Sequence, residues 1–263
     1  MLQQMVSFFV SGFVYPGLSW AKILVGIGLA VAFGAIWLAG YRPPLVKKRW
    51  LWAVLAISAF LTWAAVSFIQ IPLQFWAGQS LGHFWSQEVI MRRLLLFGIP
   101  QILLSGLVQE GSKLVPIVIY WRRQGRNIDP KLGLVVGAVA GAGLGIFEAV
   151  WAHNLVFLSG WSWQAVQTQG LVALAPFGER FFVVAAHTAF SALAGYGLAK
   201  GRGWQFYLIA SGLHALINYS AVLLQAGVLN VVQVEIYVAI VALSVTAWVL
   251  RLRWRKPVAI SEV

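Results

Sequence analysis

Four ionisable residues lie inside long apolar stretches of the chain, each in a different stretch: Glu110, Glu148, His187 and His214. An ionisable side chain at the middle of a bilayer costs roughly 2.5–3.5 kcal/mol even on lenient insertion scales, so such residues are functional candidates. Two imidazoles and one carboxylate can hold a zinc ion and leave one position for water. A second carboxylate can then act as a general base on that water. The set therefore predicts a hydrolytic site.

The neighbours of these residues suggest how the roles divide. Lys113 follows Glu110 by three residues and Asn218 follows His214 by four, so each pair shares one face of a helix. The expected zinc ligands are Glu148, His187 and His214. The expected catalytic residues are Glu110 as the base, Lys113 as a stabiliser of its charge or of an oxyanion, and Asn218 as a donor to a carbonyl or oxyanion. Without a metal, Glu110 and a histidine could activate water directly.

The stretches that carry these residues are typical of membrane-spanning helices. Of the 263 residues, 60% are hydrophobic and 10% are charged, whereas a soluble domain has roughly 25% charged residues. Each uncharged run is near the roughly 20 residues that cross a bilayer. We predict an all-α polytopic membrane helix bundle of about seven transmembrane helices. The predicted spans are 18–40, 52–75, 94–121, 132–157, 178–199, 205–227 and 230–250.

The chain is expected to form a single transmembrane domain over residues 1–263. Its three parts are 1–90, an N-terminal interfacial segment with two generic spans; 91–228, the four-helix core with the candidate residues; and 229–263, the last span with a basic cytoplasmic tail. Residues 1–17 are apolar but interrupted by Gly12, Pro16 and Gly17. This pattern indicates an interfacial or re-entrant segment and leaves an eighth span open.

The basic residues indicate the orientation in the membrane. Most of the 19 Lys and Arg residues lie in alternate connections and in the C-terminal tail. Because cytoplasmic loops carry the Lys/Arg excess, the N-terminus is expected outside and the C-terminus in the cytoplasm of a prokaryotic plasma membrane. The net charge of +12 is spread over these loops, so membrane lipid is the expected partner and nucleic acid is not. The absence of cysteine excludes disulfides.

Helical rise places the candidate residues at similar depths. Glu110, His187 and His214 each lie 12 or 13 residues from the basic end of their helix, about 18–20 Å. Glu148 lies 17 residues from Lys131, about 25 Å along its helix. We therefore expect all four to face one cavity. The span that carries Glu148 also has glycines at every fourth position, which predicts close approach of a neighbouring helix; they are Gly133, Gly137, Gly141 and Gly145.

At these residues the chain resembles the PrsW and YhfC-like intramembrane proteases, which belong to a wider group with the CAAX prenyl proteases and the Aph subunit of gamma-secretase. Four motifs carry the resemblance, one per successive span, over about residues 100–225. They lie at 109–113, 143–148, 179–187 and 213–219. The resemblance implies an intramembrane peptidase near mid-bilayer that acts on a transmembrane or membrane-proximal peptide substrate, with zinc as the cofactor.

One position departs from the family pattern, because the paired glutamates are here Gln109 and Glu110. The pair is central to catalysis in the CAAX proteases, whereas the Aph scaffold, which is not itself a protease, also carries Gln-Glu. A non-catalytic membrane scaffold with a membrane-protein partner is therefore an alternative. A third is a proton-coupled transporter, since buried carboxylates and histidines also form relays. Glu110 with Lys113 could equally be a structural ion pair.

Overall fold

The computed structural model describes residues 1–255, and this range is helical without a strand. Residues 256–263, which include Lys256 of the expected basic tail, lie outside the described residues. The α-helices are α1 Leu2–Ser11, α2 Trp20–Tyr41, α3 Trp50–Ala65, α4 Ile71–Phe84, α5 Gln87–Arg92, α6 Leu94–Phe97, α7 Ile99–Arg123, α8 Pro130–Leu158, α9 Trp163–Gln169, α10 Ala175–Ala199, α11 Gly203–Gln225 and α12 Val231–Trp254.

Seven helical stretches of the described residues are long and apolar enough to cross a membrane, which confirms the predicted number. They are Trp20–Tyr41, Trp50–Phe84, Leu94–Arg123, Pro130–Leu158, Trp163–Ala199, Gly203–Gln225 and Val231–Trp254. The second is longer than predicted because α3 continues through a π-helical segment, Val66–Gln70, into α4. Pro72, the second residue of α4, lacks a backbone N–H, and a wider helical turn just before a proline accommodates that loss.

The N-terminal segment is not an eighth span. Its helix α1 has ten residues, about half the length that crosses a bilayer. The ring of Phe8 stacks on Trp63 with centroids 4.8 Å apart, and Trp63 Nε1 donates a hydrogen bond to Phe9 O at 2.9 Å. The segment therefore lies against the second span.

Helices α8 and α10 form the centre of the bundle and approach each other at the predicted glycines. A Cβ atom added at Gly137 would lie 2.1 Å from Ser191 O, and one at Gly141 would lie 2.0 Å from His187 O. Any larger residue would push the two helices apart. The glycine ridge thus brings the backbone of α10, including His187, directly against α8.

Contacts between helix ends define what we call the basic end of the bundle. Lys131 Nζ, at the start of α8, donates to Arg255 O after α12 at 2.9 Å. Arg253 Nε donates to Tyr41 O at the end of α2 at 3.1 Å. Helix α8 begins here, with Asp129 Oδ1 accepting from Leu132 N at 3.0 Å. The connections 42–49, 124–129 and 200–202 lie at this end.

Candidate active site

The structure brings the four predicted ionisable residues together from four helices. Glu110 on α7 has Oε1 2.8 Å from Nδ1 of His214 on α11. Glu148 on α8 has Oε2 2.8 Å from Nε2 of His187 on α10. The two imidazole rings pack edge to face with centroids 5.0 Å apart. Two Glu–His pairs therefore lie side by side in the bundle.

Lys113 joins the two Glu–His pairs. Its Nζ donates to Glu110 Oε1 at 2.5 Å and lies 3.1 Å from His187 Nδ1. The other carboxylate oxygen of Glu110 accepts from Ser191 Oγ at 3.2 Å. The side chains of Lys113 and Glu110 are 0% and 1% exposed. Both oxygens of Glu110 are thus engaged, Oε1 in a buried ion pair with Lys113 and the other in the hydrogen bond from Ser191. Lys113 offsets the charge of Glu110 where water does not reach.

A cavity of about 310 Å³ lies in front of this network. Its polar lining comes from Glu148, His187, His214, Asn218, Arg180, Glu179, Ser105, Ser220 and Gln74. Glu110 and Lys113 are not among its lining residues. The side chain of Glu148 is 23% exposed. The two glutamates therefore differ in access, since Glu148 faces the cavity and Glu110 lies behind the histidines.

Arg180 on α10 is a member of the site that is not among the catalytic residues and metal ligands predicted from the sequence. It forms a side-chain ion pair with the adjacent Glu179, and its Nη1 lies 3.9 Å from Glu148 Oε2. The side chain of Arg180 is only 16% exposed. Its position seven residues before His187 on α10 is the signal that could have found it, because residues i and i+7 lie on one face of a helix.

A second polar layer of amides and hydroxyls borders the cavity. Asn218 Nδ2 donates to Ser105 Oγ at 2.9 Å, and Gln109 Nε2 donates to the same oxygen at 3.2 Å and to Gln70 Oε1 at 3.1 Å. Gln109 is therefore bonded to this layer and not to the histidines. The second span, expected to be generic, contributes Gln70 from its π-helical segment, a feature that often marks functional sites.

The donor set can accept a metal ion. Glu110, His187 and His214 each offer a ligand atom, and these atoms lie within 4.8 Å of one another. Two imidazoles and a carboxylate are a donor set typical of catalytic zinc. The Glu148 carboxylate, expected to be a ligand, instead meets His187 on its Nε2 side, as carboxylates that orient a metal-bound histidine do. A cation bound here would share Glu110 with the ammonium of Lys113.

Seven apolar helices around a buried Glu–His–His centre define an integral membrane protein with a site suited to hydrolysis. The chain matches the PrsW family of intramembrane metalloproteases over residues 46–248, most of its length, and it belongs to that family. The match contains every predicted site residue and confirms the resemblance, which extends further towards both ends than residues 100–225. Comparisons with curated proteins and with solved structures gave no match.

Proposed function

We propose that this protein is an intramembrane peptidase that hydrolyses a peptide bond of a transmembrane or membrane-proximal segment. The observation that carries the proposal is the opening of Glu148, His187 and His214 onto one cavity of about 310 Å³ inside the bundle. Membership of a metalloprotease family supports the same reaction class. The cavity beside these groups supports hydrolysis over a merely structural ion pair, because a structural ion pair needs no cavity.

The two carboxylates take different roles from those expected from the sequence. A general base must come within hydrogen-bond reach of the water from which it takes a proton. Glu148 lines the cavity, so we assign it the proton transfer to and from water and substrate. Glu110 is sealed behind the histidines and holds His214 through Nδ1. Lys113 balances the charge of Glu110, and Arg180 does the same for Glu148 from the side of the mouth.

Zinc is the metal we propose, held by His187, His214 and Glu110. When bound it would supply a Lewis acid that polarises a carbonyl and makes water more acidic. The orientation of His187 is set by Glu148 at Nε2, which leaves Nδ1 directed at Lys113. The chain itself thus places two imidazoles and the Glu110 carboxylate around one point, with Glu148 bonded to His187, and excludes bulk water from the side of Glu110.

Asn218 is the proposed donor to the substrate carbonyl. Its side chain lines the cavity and lies one turn after His214 on α11. An amide group has two N–H donors, and the hydrogen bond to Ser105 Oγ uses one of them. The second N–H remains for a substrate oxygen, and the bond to Ser105 fixes its direction. Such preorganised donors stabilise a developing oxyanion.

We also propose that the cavity is reached from the non-cytoplasmic half of the membrane. Its mouth residues Glu179 and Arg180 lie in the first two turns of α10, and Ser220 is near the end of α11, so all lie away from the basic end. Lys/Arg-rich ends face the cytoplasm. This orientation places the N-terminus outside and the C-terminus inside, and directs cleavage towards the outer side of the bilayer.

Cleavage of a quenched fluorescent peptide with a single apolar span, by the full chain reconstituted in lipid vesicles, tests the proposal. We expect Glu148→Gln and His214→Ala to lose activity while the exposed, matched variants Glu88→Gln and His83→Ala keep it. Equal cleavage by all variants would overturn the proposal. Correctly folded protein that binds no metal, cleaves no apolar peptide and copurifies with a stable membrane partner would instead favour the scaffold.

A further inference from the structure

An apolar groove separates the first and second spans towards the basic end. Helices α2 and α3 both pack closely on α8 but contact each other much less. The space between them measures about 480 Å³ and is lined by apolar side chains that include Val31, Leu55 and Ile146. It shares no lining residue with the candidate active site. The groove is therefore a separate feature of the membrane-facing surface.

Arg42 closes one end of the groove. Its backbone φ is +49°, a left-handed conformation that non-glycine residues rarely adopt. The turn places the guanidinium 5.0 Å above the ring of Trp254, and Arg253 lies over the same ring at 4.8 Å. Within residues 1–255 neither arginine forms an ion pair with a carboxylate. Two guanidinium groups without a carboxylate partner in this range thus lie against the Trp254 ring, and Arg42 lines the groove where its apolar lining ends.

The length of the groove matches one leaflet of a bilayer. Val31 and Arg42 bound it along α2, and their separation of 11 residues corresponds to about 16 Å of helix. The hydrocarbon of one leaflet is about 15 Å thick, half of the whole core. An apolar slot of this length with positive charge at the headgroup level is complementary to an anionic lipid.

We propose that the groove is a binding site for one acyl chain of an anionic glycerophospholipid, whose phosphate is held by Arg42 and Arg253. The acyl chain of the lipid would lie between α2 and α3, over Ile146, and fill the space that the two helices leave open. Guanidinium groups recognise phosphate oxygens in a bidentate manner, and Trp254 holds both groups in place. This inference does not depend on the proposed peptidase activity.

Native mass spectrometry of the full chain, released from nanodiscs of equal phosphatidylglycerol and phosphatidylcholine with identical acyl chains, tests the site. We expect one retained phosphatidylglycerol per chain in preference to phosphatidylcholine. Arg42→Gln should lower that preference about fivefold, the effect of one basic residue at a membrane surface. Arg123→Gln, an exposed arginine at the same end of the bundle, is the matched control and should retain the preference.

A second pair of variants tests the acyl slot. Ala35 lines the groove, so Ala35→Trp should abolish retention, whereas Ala32→Trp, on an exposed position of the same helix outside the lining, should not. Equal retention of both lipids by the unaltered chain, or equal loss in each variant and its control, would overturn the proposal. Displacement of the lipid by an added transmembrane peptide or by a second copy of the chain would identify a different occupant and also overturn it.

Discussion

Glu110 Oε1 on α7 and His214 Nδ1 on α11 lie 2.8 Å apart although 104 residues separate them in the chain. The same oxygen accepts from Lys113, so one buried atom connects a cation and an imidazole. This contact couples the stability of the bundle to the geometry of the proposed active site. It also distinguishes Glu110 from Glu148, whose carboxylate faces the cavity.

Glu110→Gln should lower the free energy of unfolding by about 3–5 kcal/mol, because it leaves the fully buried Lys113 without a counter-charge. Denaturant unfolding in detergent measures the change. The double variant Glu110→Gln with Lys113→Met should recover part of the loss. Glu88→Gln is the control, since Glu88 and Arg92 form a highly exposed pair worth about 0.5 kcal/mol or less. Equal effects of the Glu88 and Glu110 variants would contradict the prediction.

Gly141→Ala should reduce peptide cleavage about 10²-fold, the scale expected when a reacting group moves by about 1 Å. The new Cβ would meet His187 O at 2.0 Å and must displace the helix that carries the histidine. Gly28→Ala is the control, because among the described residues nothing lies within 4 Å of a Cβ added there. Unchanged activity and thermal stability in Gly141→Ala would show that the close approach of α8 and α10 is not needed.

Metal analysis of the purified chain should find about one zinc ion per molecule. His187→Ala and His214→Ala should each lose most of it, because each removes one of three donors. Asn218→Ala should retain it, since Asn218 is not among those donors. Chelation should abolish cleavage and added zinc should restore it. Full zinc content in both histidine variants would refute the proposed ligand set.

Asn218→Ala should lower kcat about 10²–10³-fold with little change in KM, as loss of one oxyanion donor does. Ser105→Ala should have a smaller effect of the same kind, because it removes the hydrogen bonds from Asn218 and Gln109 but leaves the Asn218 amide in place. Asn127→Ala, in an exposed connection at the basic end, should behave as the unaltered enzyme. A rise in KM at constant kcat would assign Asn218 to substrate binding instead.

The natural chain has no cysteine, so single cysteines can report its orientation directly. Gln124 lies in an exposed connection at the basic end, and Ser159 lies in an exposed connection at the opposite end. The variants Gln124→Cys and Ser159→Cys therefore place one cysteine at each end. In intact cells a membrane-impermeant maleimide should label Ser159→Cys alone, and Gln124→Cys only after lysis. The reverse pattern would contradict the proposed orientation and place the cavity mouth on the cytoplasmic side.

The sequence by itself determined the class of the protein and the depth of its site. The number of spans follows from apolar length, which the bilayer thickness dictates. The similar depth of Glu110, His187 and His214 follows from the constant rise of a helix. The glycines of α8 predicted the close approach of a neighbouring helix, because a residue without a side chain lets another backbone come near whatever the rest of the fold is.

Only the tertiary structure decided which helices are neighbours and which side chains face the cavity. The sequence of a helix tells which residues share a face of that helix. The rotation of the helix about its axis, which decides where that face points, depends on packing against the other helices. Hence the sealed position of Glu110, the exposure of Glu148 and the contribution of Gln70 to the site could not be read from spacing. The juxtaposition of Arg42 with Trp254 has the same origin, since the two residues are 212 positions apart in the chain.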